Sequence, residues 1–396
     1  MNDSTPKTFP PHFTWGTATA AHQIEGGNTN NDWWAFEHTP GSPAVESSGD
    51  ATDSYHRWRD DADLVASLGF DSYRFSLEWS RIEPADGEFS QAALDHYARI
   101  CEGLRERGID PVVTFHHFTT PQWLAAQGGW ESPSTADRFA EFAGRAAQRL
   151  NGLMSSACTI NEPNVVSFVG YGLGFFPPGK QLPMGDVEAI NNTFIRAHRS
   201  AVDAIRTNAP GTPVGLTVSA SEWVAVDGGE ARVDEERRVS EDMFFDATVG
   251  DDFLGIQTYS RQRIGPNGNV GGEAGVETLV MGYEYWPQAL EATLRRAWEY
   301  TGGRIPLLVT ENGIGTEDDE QRIRFVGAAL EGVLRAISDG IDVRGYTYWS
   351  LLDNFEWSFG YRPRFGLTEV DRSTFTRTLK PSAHWLASVM KANALP

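Results

Sequence analysis

Two short segments place an acid where a strand runs out. Thr159-Ile160-Asn161-Glu162-Pro163 follows the apolar run 156–160, and Thr310-Glu311-Asn312-Gly313 follows the run 305–309. Each run reads as a buried β-strand, so Glu162 and Glu311 stand at strand ends. Such a pair suits cleavage of a glycosidic bond. One acid protonates the leaving oxygen, and the other carboxylate attacks the sugar or activates water. Most of the 54 acidic side chains belong in solvent. These two differ by their neighbours. Pro163 stops the strand, and Asn161 sets an amide able to donate to a hydroxyl or carboxylate beside Glu162. Asn312-Gly313 permits a sharp turn that would keep Glu311 aimed at one place.

The rest of the chain must hold those strand ends together. Short apolar runs at 13–17, 71–76, 111–115, 156–160, 214–218, 253–257, 305–310 and 343–349 read as strands. Amphipathic stretches at 55–68, 91–107, 135–150, 187–208, 233–248, 286–300 and 317–339 read as helices, with a last one at 381–391. Strand then helix, repeated about eight times, predicts a parallel α/β architecture. No glycine-rich phosphate turn follows the first strand, which weakens a doubly wound dinucleotide fold. The prediction is one (β/α)8 barrel over 1–396, with its chemistry at the C-terminal ends of the strands. Gln23, His116, His117, Glu162, Tyr259, Glu311 and the run 349–357 all fall at such ends. The glycine-rich stretch 265–282 reads as a flexible βα loop, an ordinary surface loop in preference to a lid that shapes the substrate entrance.

Composition excludes several partners. The formal net charge of -21 would repel nucleic acid and anionic lipid. No apolar run is long enough to span a bilayer, and residues 1–12 lack the apolar core of a secretory leader, so the expected setting is the cytoplasm. Cys101 and Cys158 are too few and too far apart for a disulfide framework and read as reduced core thiols. Adjacent His116 and His117 would point to opposite faces of a strand, and no third ligand has suitable spacing, so no metal is expected. No cofactor motif occurs, and the sequence sets no oligomeric state.

Five motifs, in order, resemble those of family 1 glycoside hydrolases, the β-glucosidase/β-galactosidase family. They are Phe13-Thr14-Trp15-Gly16-Thr17-Ala18-Thr19 with Gln23-Ile24-Glu25-Gly26; Tyr73-Arg74-Phe75-Ser76; the Asn161-Glu162-Pro163 segment with the loop Gly170-Tyr171 through Pro178-Gly179; Thr310-Glu311-Asn312-Gly313; and Tyr348-Trp349-Ser350-Leu351-Leu352-Asp353-Asn354-Phe355-Glu356-Trp357. The resemblance runs from about Phe13 to Trp385. It implies Glu162 as general acid/base and Glu311 as nucleophile of a retaining enzyme. The two carboxyls would then stand about 5–5.5 Å apart. It also implies that Arg74 and Tyr259 support the nucleophile. Gln23, His117, Asn161, Tyr259, Glu356 and Trp357 would contact the non-reducing sugar, and Trp349 would form the floor beneath it. The expected substrate is a small β-glycoside or oligosaccharide.

Three departures bear on sugar preference rather than on the reaction. His117 is followed by Phe118-Thr119 where many members have Trp-Asp, which removes an indole donor. Gln257-Thr258-Tyr259 stands where the family usually has Asn-Tyr-Tyr. The chain is also shorter than many relatives, implying trimmed loops and a more open aglycone side. Glu356 stands where phospho-glycosidases typically lack an acid, so an unphosphorylated sugar is expected. The same residues could serve a transglycosylase, or, in another class, a non-catalytic sugar-binding barrel, which loss of either Glu162 or Glu311 would indicate.

Overall fold

A computed structural model describes residues 7–396 of the chain; residues 1–6 of the polar N-terminal stretch lie outside it. Eight parallel strands close into a barrel: β1 (Thr14–Ala18), β2 (Ser72–Ser76), β3 (Asp110–His117), β4 (Ser156–Asn161), β5 (Val214–Ser219), β6 (Phe253–Gln257), β7 (Leu307–Asn312) and β8 (Val343–Trp349). β8 returns to β1, pairing Gly345 with Thr14 through to Trp349 with Ala18. All eight expected strands are present, and the eight expected helical stretches lie between and after them.

Burial explains the layering. In the helix Thr135–Leu150, Phe139, Phe142, Ala143, Ala146, Ala147 and Leu150 recur at helical spacing and are fully buried. They face the barrel, where outward side chains such as Val113 and Phe115 complete the core. Strands covered on both sides read as near-continuous apolar runs, which is why they were legible in the sequence. Caps fix helix starts: Asp318 accepts from the backbone N–H groups of Glu320 and Gln321 at 3.0 and 3.1 Å.

Three local expectations need correction. First, Glu311 and Asn161 lie inside β7 and β4 rather than beyond them, because hydrogen-bonded pairing with the neighbouring strands continues to these residues. Gly313 is needed for close approach and not for a turn: a Cβ there would meet the Trp349 carbonyl oxygen at 2.0 Å. Second, the stretch 233–248 divides into Glu230–Arg237, a wider-wound turn Arg238–Asp242, and Met243–Ala247. Third, the loop 265–282 is not an ordinary surface loop. Its start belongs to a three-stranded sheet of Glu222–Ala225, Arg261–Gly265 and Gly268–Asn269, and Met281 near its end reaches a cavity at the barrel mouth.

Candidate active site

The carboxylates from β4 and β7 face one cavity of about 290 Å3 at the C-terminal mouth of the barrel. Glu162 and Glu311 line it together with His117, Phe118, Tyr259, Trp349, Glu356 and Trp357. Residues 149 positions apart in sequence thus meet because β4 and β7 end on the same face. The two acids have different surroundings. Glu311 Oε1 accepts from Arg74 Nη1 at 2.6 Å, and its Oε2 accepts from the Tyr259 hydroxyl at 2.7 Å. Glu162 Oε1 is buried with no hydrogen-bond partner among the described residues.

This asymmetry separates the two acids electrostatically. Burial raises both carboxyl pKa values, since desolvation penalises the charged form. For Glu162 the Glu311 charge adds to burial and pushes it well above the carboxylate range. For Glu311 the Arg74 cation and the Tyr259 hydroxyl oppose burial. A protonated Glu162 facing an ionised Glu311 is therefore the favoured state of the pair.

Arg74 on β2 binds a second group as well. Its Nη2 donates to Asn161 Oδ1 at 2.6 Å, and that oxygen also accepts from Gln257 Nε2 at 3.0 Å. With Oδ1 so engaged, Asn161 turns its Nδ2 toward His117 Nε2, 3.1 Å away. The longer Gln257, a departure from the family pattern, thus ties Asn161 in place. Burial, with the Arg74 charge, holds the His117 imidazole well below its usual pKa, so the ring is neutral. His116 points the other way and packs on Trp130, Phe139 and Phe194. Burial lowers its pKa to about 3. Among the described residues no group of three or more His, Cys, Asp or Glu could hold a metal.

The far wall carries the run after β8. Gln23 Nε2 donates to the Phe355 carbonyl at 2.8 Å, to Asn354 Oδ1 at 3.2 Å and to Glu356 Oε2 at 3.3 Å. Burial, then the Glu311 charge, raises the Glu356 pKa to about 8. Trp349 and Trp357 flank His117 with stacked rings at 5.8 and 6.0 Å. Phe118 packs on Trp357 at 4.9 Å and on Phe176 at 5.8 Å, presenting a hydrocarbon face where an indole N–H would otherwise lie. Three lining residues have left-handed backbones: Glu162 (φ 43), Phe118 (φ 69) and Trp357 (φ 52). Each costs about 1–2 kcal/mol in a non-glycine residue. Such strain gathers where side-chain aim outranks backbone comfort.

All ten expected site residues converge on this cavity or on its immediate support. Sequence reasoning missed others. Met281, Tyr283, Phe365, Ser219, Ser221, Ser260 and Gln262 also line it. The aromatic run around Tyr283 was a signal, but it gave no strand end to attach to. Cys158 lies beside Arg74 at the barrel interior, where burial raises the thiol pKa and the Arg74 charge opposes it. Both cysteines are free and buried.

The description glycosyl hydrolase family 1 matches residues 5–271 and 257–395. Beta-glucosidase A of Thermotoga maritima is 32% identical over 444 aligned positions, covering 98% of this chain and 99% of that protein. A bifunctional beta-D-glucosidase/beta-D-fucosidase of Bifidobacterium breve is 35% identical over 448 positions, covering 95% of this chain and 97% of that protein. The crystal structure of beta-glycosidase BGL167 superposes with a TM-score of 0.90 at 47% identity, over 98% of both chains. With sequence and fold similarity both running nearly end to end, the chain belongs to glycosyl hydrolase family 1.

Proposed function

We propose that this β-glycosidase removes non-reducing, unphosphorylated β-linked sugars with Glu311 as nucleophile and Glu162 as acid/base. The carrying observation is the asymmetry of the pair: Glu311 is bonded to a cation and a phenol, whereas Glu162 keeps a free, buried carboxyl oxygen. In the first step Glu311 attacks the anomeric carbon as the bond to the leaving oxygen breaks, and that oxygen takes the Glu162 proton. Glycosylation removes the Glu311 charge, so the Glu162 pKa falls and its carboxylate can act as base. Water then attacks the same carbon, gives a proton to Glu162 and displaces Glu311. Two inversions retain configuration.

Trp349 would carry the sugar's apolar face, and Gln23, His117, Asn161, Glu356 and Trp357 its hydroxyls. Among the described residues no Lys or Arg lines the cavity, so a phosphate dianion would meet acids without a compensating cation. The relatives' names favour β-glucosides, with β-fucosides next. Residues 1–396 would act as one catalytic unit in the cytoplasm on small glycosides; the net charge of -21 speaks against nucleic acid as a partner.

Proton NMR of the first product from an aryl β-glucoside tests the reading. The β-anomer is expected, and the α-anomer as first product would remove the double displacement. Replacement of Glu311 by Gly should abolish turnover; undiminished activity would disqualify it as nucleophile.

A further inference from the structure

Among the described residues, three side chains that line the cavity keep a buried polar atom with no hydrogen-bond partner. They are Glu162 through Oε1, His117 through Nδ1 and Tyr283 through its phenol oxygen. The first two have roles with the substrate in the reading above. Tyr283 has none.

Tyr283 follows the three-stranded sheet, in a segment that is pinned on both sides. Arg261 donates through Nε to Glu284 Oε2 at 2.7 Å and through Nη2 to Glu284 Oε1 at 3.1 Å. Its guanidinium lies 3.5 Å from the Trp286 ring centre. Ser260 Oγ donates to the Glu284 carbonyl at 2.7 Å, and the Leu279 N–H donates to the carbonyl of Tyr283 itself at 2.7 Å. The ring packs with Met281 against Trp349 and Phe365, and its centre is 6.4 Å from that of Tyr259. Of the three cavity carboxyls, Glu356 is the one whose charge adds to burial in acting on the phenol. A buried, unpaired hydroxyl on this clasped segment therefore belongs to the lining of the sugar cavity. Burying it unpaired costs stability, and a ligand hydroxyl removes that cost by pairing with it.

Resting on the glycosidase reading above, we infer that the Tyr283 hydroxyl hydrogen-bonds a hydroxyl of the non-reducing sugar, and so helps determine which sugars are cleaved. A site built to bond a substrate hydroxyl rejects an analogue lacking it far more strongly than an apolar wall can.

Wild type and Tyr283→Phe are compared by kcat/KM on 4-nitrophenyl β-glucoside and its four monodeoxy analogues. The expected loss on the parent is about five- to a hundredfold. The same loss recurs on three analogues and disappears on the fourth, which lacks the partner hydroxyl. A variant as fast as wild type on the parent overturns the inference, as does one slowed alike on all five substrates. Partial misfolding scales every substrate equally and leaves the pattern readable; should the variant not accumulate, Tyr283→Leu on the same panel reads it. A wild type that cleaves neither these five nor the 4-nitrophenyl β-fucoside and β-galactoside removes the glycosidase reading, and the inference falls with it.

Discussion

Arg74 donates to Glu311 at 2.6 Å, and both side chains are almost wholly buried, at 1% and 4% exposure. The cation offsets the burial that raises the carboxyl's pKa. Replacing Arg74 with Met removes the opposing charge, so the Glu311 pKa should rise further. The acid limb of the kcat/KM–pH profile should then move to higher pH, because less nucleophile is ionised at each pH. Breaking a buried pair from one side typically costs about 3–5 kcal/mol of stability. A pH profile and a thermal melt on the same variant check both effects; an unmoved acid limb would count against Arg74 as support for the nucleophile.

Tyr259 gives Glu311 its second donor, at 2.7 Å. A hydrogen bond to a charged group contributes about 1.5–3 kcal/mol. Tyr259→Phe should therefore slow kcat/KM by roughly ten- to a hundredfold and raise the acid limb in the same direction as Arg74→Met. Steady-state rates across pH test this, and a shift of the acid limb to lower pH would contradict it.

For Glu162 the expected signature is leaving-group dependence. General acid–base catalysis contributes about 10²–10⁴-fold. Glu162→Ala should lose that factor on poor leaving groups and much less on activated aryl glycosides, with azide partly restoring turnover. The basic limb of the rate profile should vanish with it, since Glu162 is the group whose proton is lost there. Equal losses on good and poor leaving groups would reassign the residue.

Glu356 makes a stability prediction with a definite sign. Its carboxyl is raised to about 8 by burial and the Glu311 charge, above its unfolded value of about 4.3. The folded state therefore holds its proton more tightly. That contribution is fully present below the unfolded pKa and is lost as pH rises through about 8. Glu356→Gln removes this loss, at up to about 1.4 kcal/mol per pH unit. Melting temperatures at pH values spanning that window should show wild type falling relative to the variant, and parallel curves would refute the assignment.

Much of this was legible in the sequence, for a physical reason. Barrel strands buried on both faces announce themselves as apolar runs, and Glu162 and Glu311 stood out because each adjoined one. Strand order then supplied the long-range geometry: the C-terminal ends of β1, β3, β4, β6, β7 and β8 all open on the same mouth, though alternate residues such as His116 turn away from it. Tyr283 and Met281 escaped because their placement depends on a clasp, Arg261 to Glu284, between residues 23 positions apart in a glycine-rich segment. No periodicity encodes that contact. The role of Gln257 was equally hidden, since its value lies in reaching Asn161, 96 residues earlier. The strand ends were misjudged by one or two residues at β4 and β7, where pairing with neighbours outlasts the apolar pattern.

The left-handed backbones of Phe118, Glu162 and Trp357 set a trade-off for anyone selecting sturdier forms of the enzyme. Glycine accepts that conformation without penalty, so these are positions where a selection on melting temperature alone can reward the smallest side chain. Each reward would remove an aromatic wall or the acid/base itself. Thermal robustness and turnover therefore pull in opposite directions at the three positions, while surface charges and helix caps remote from the mouth are free of that conflict.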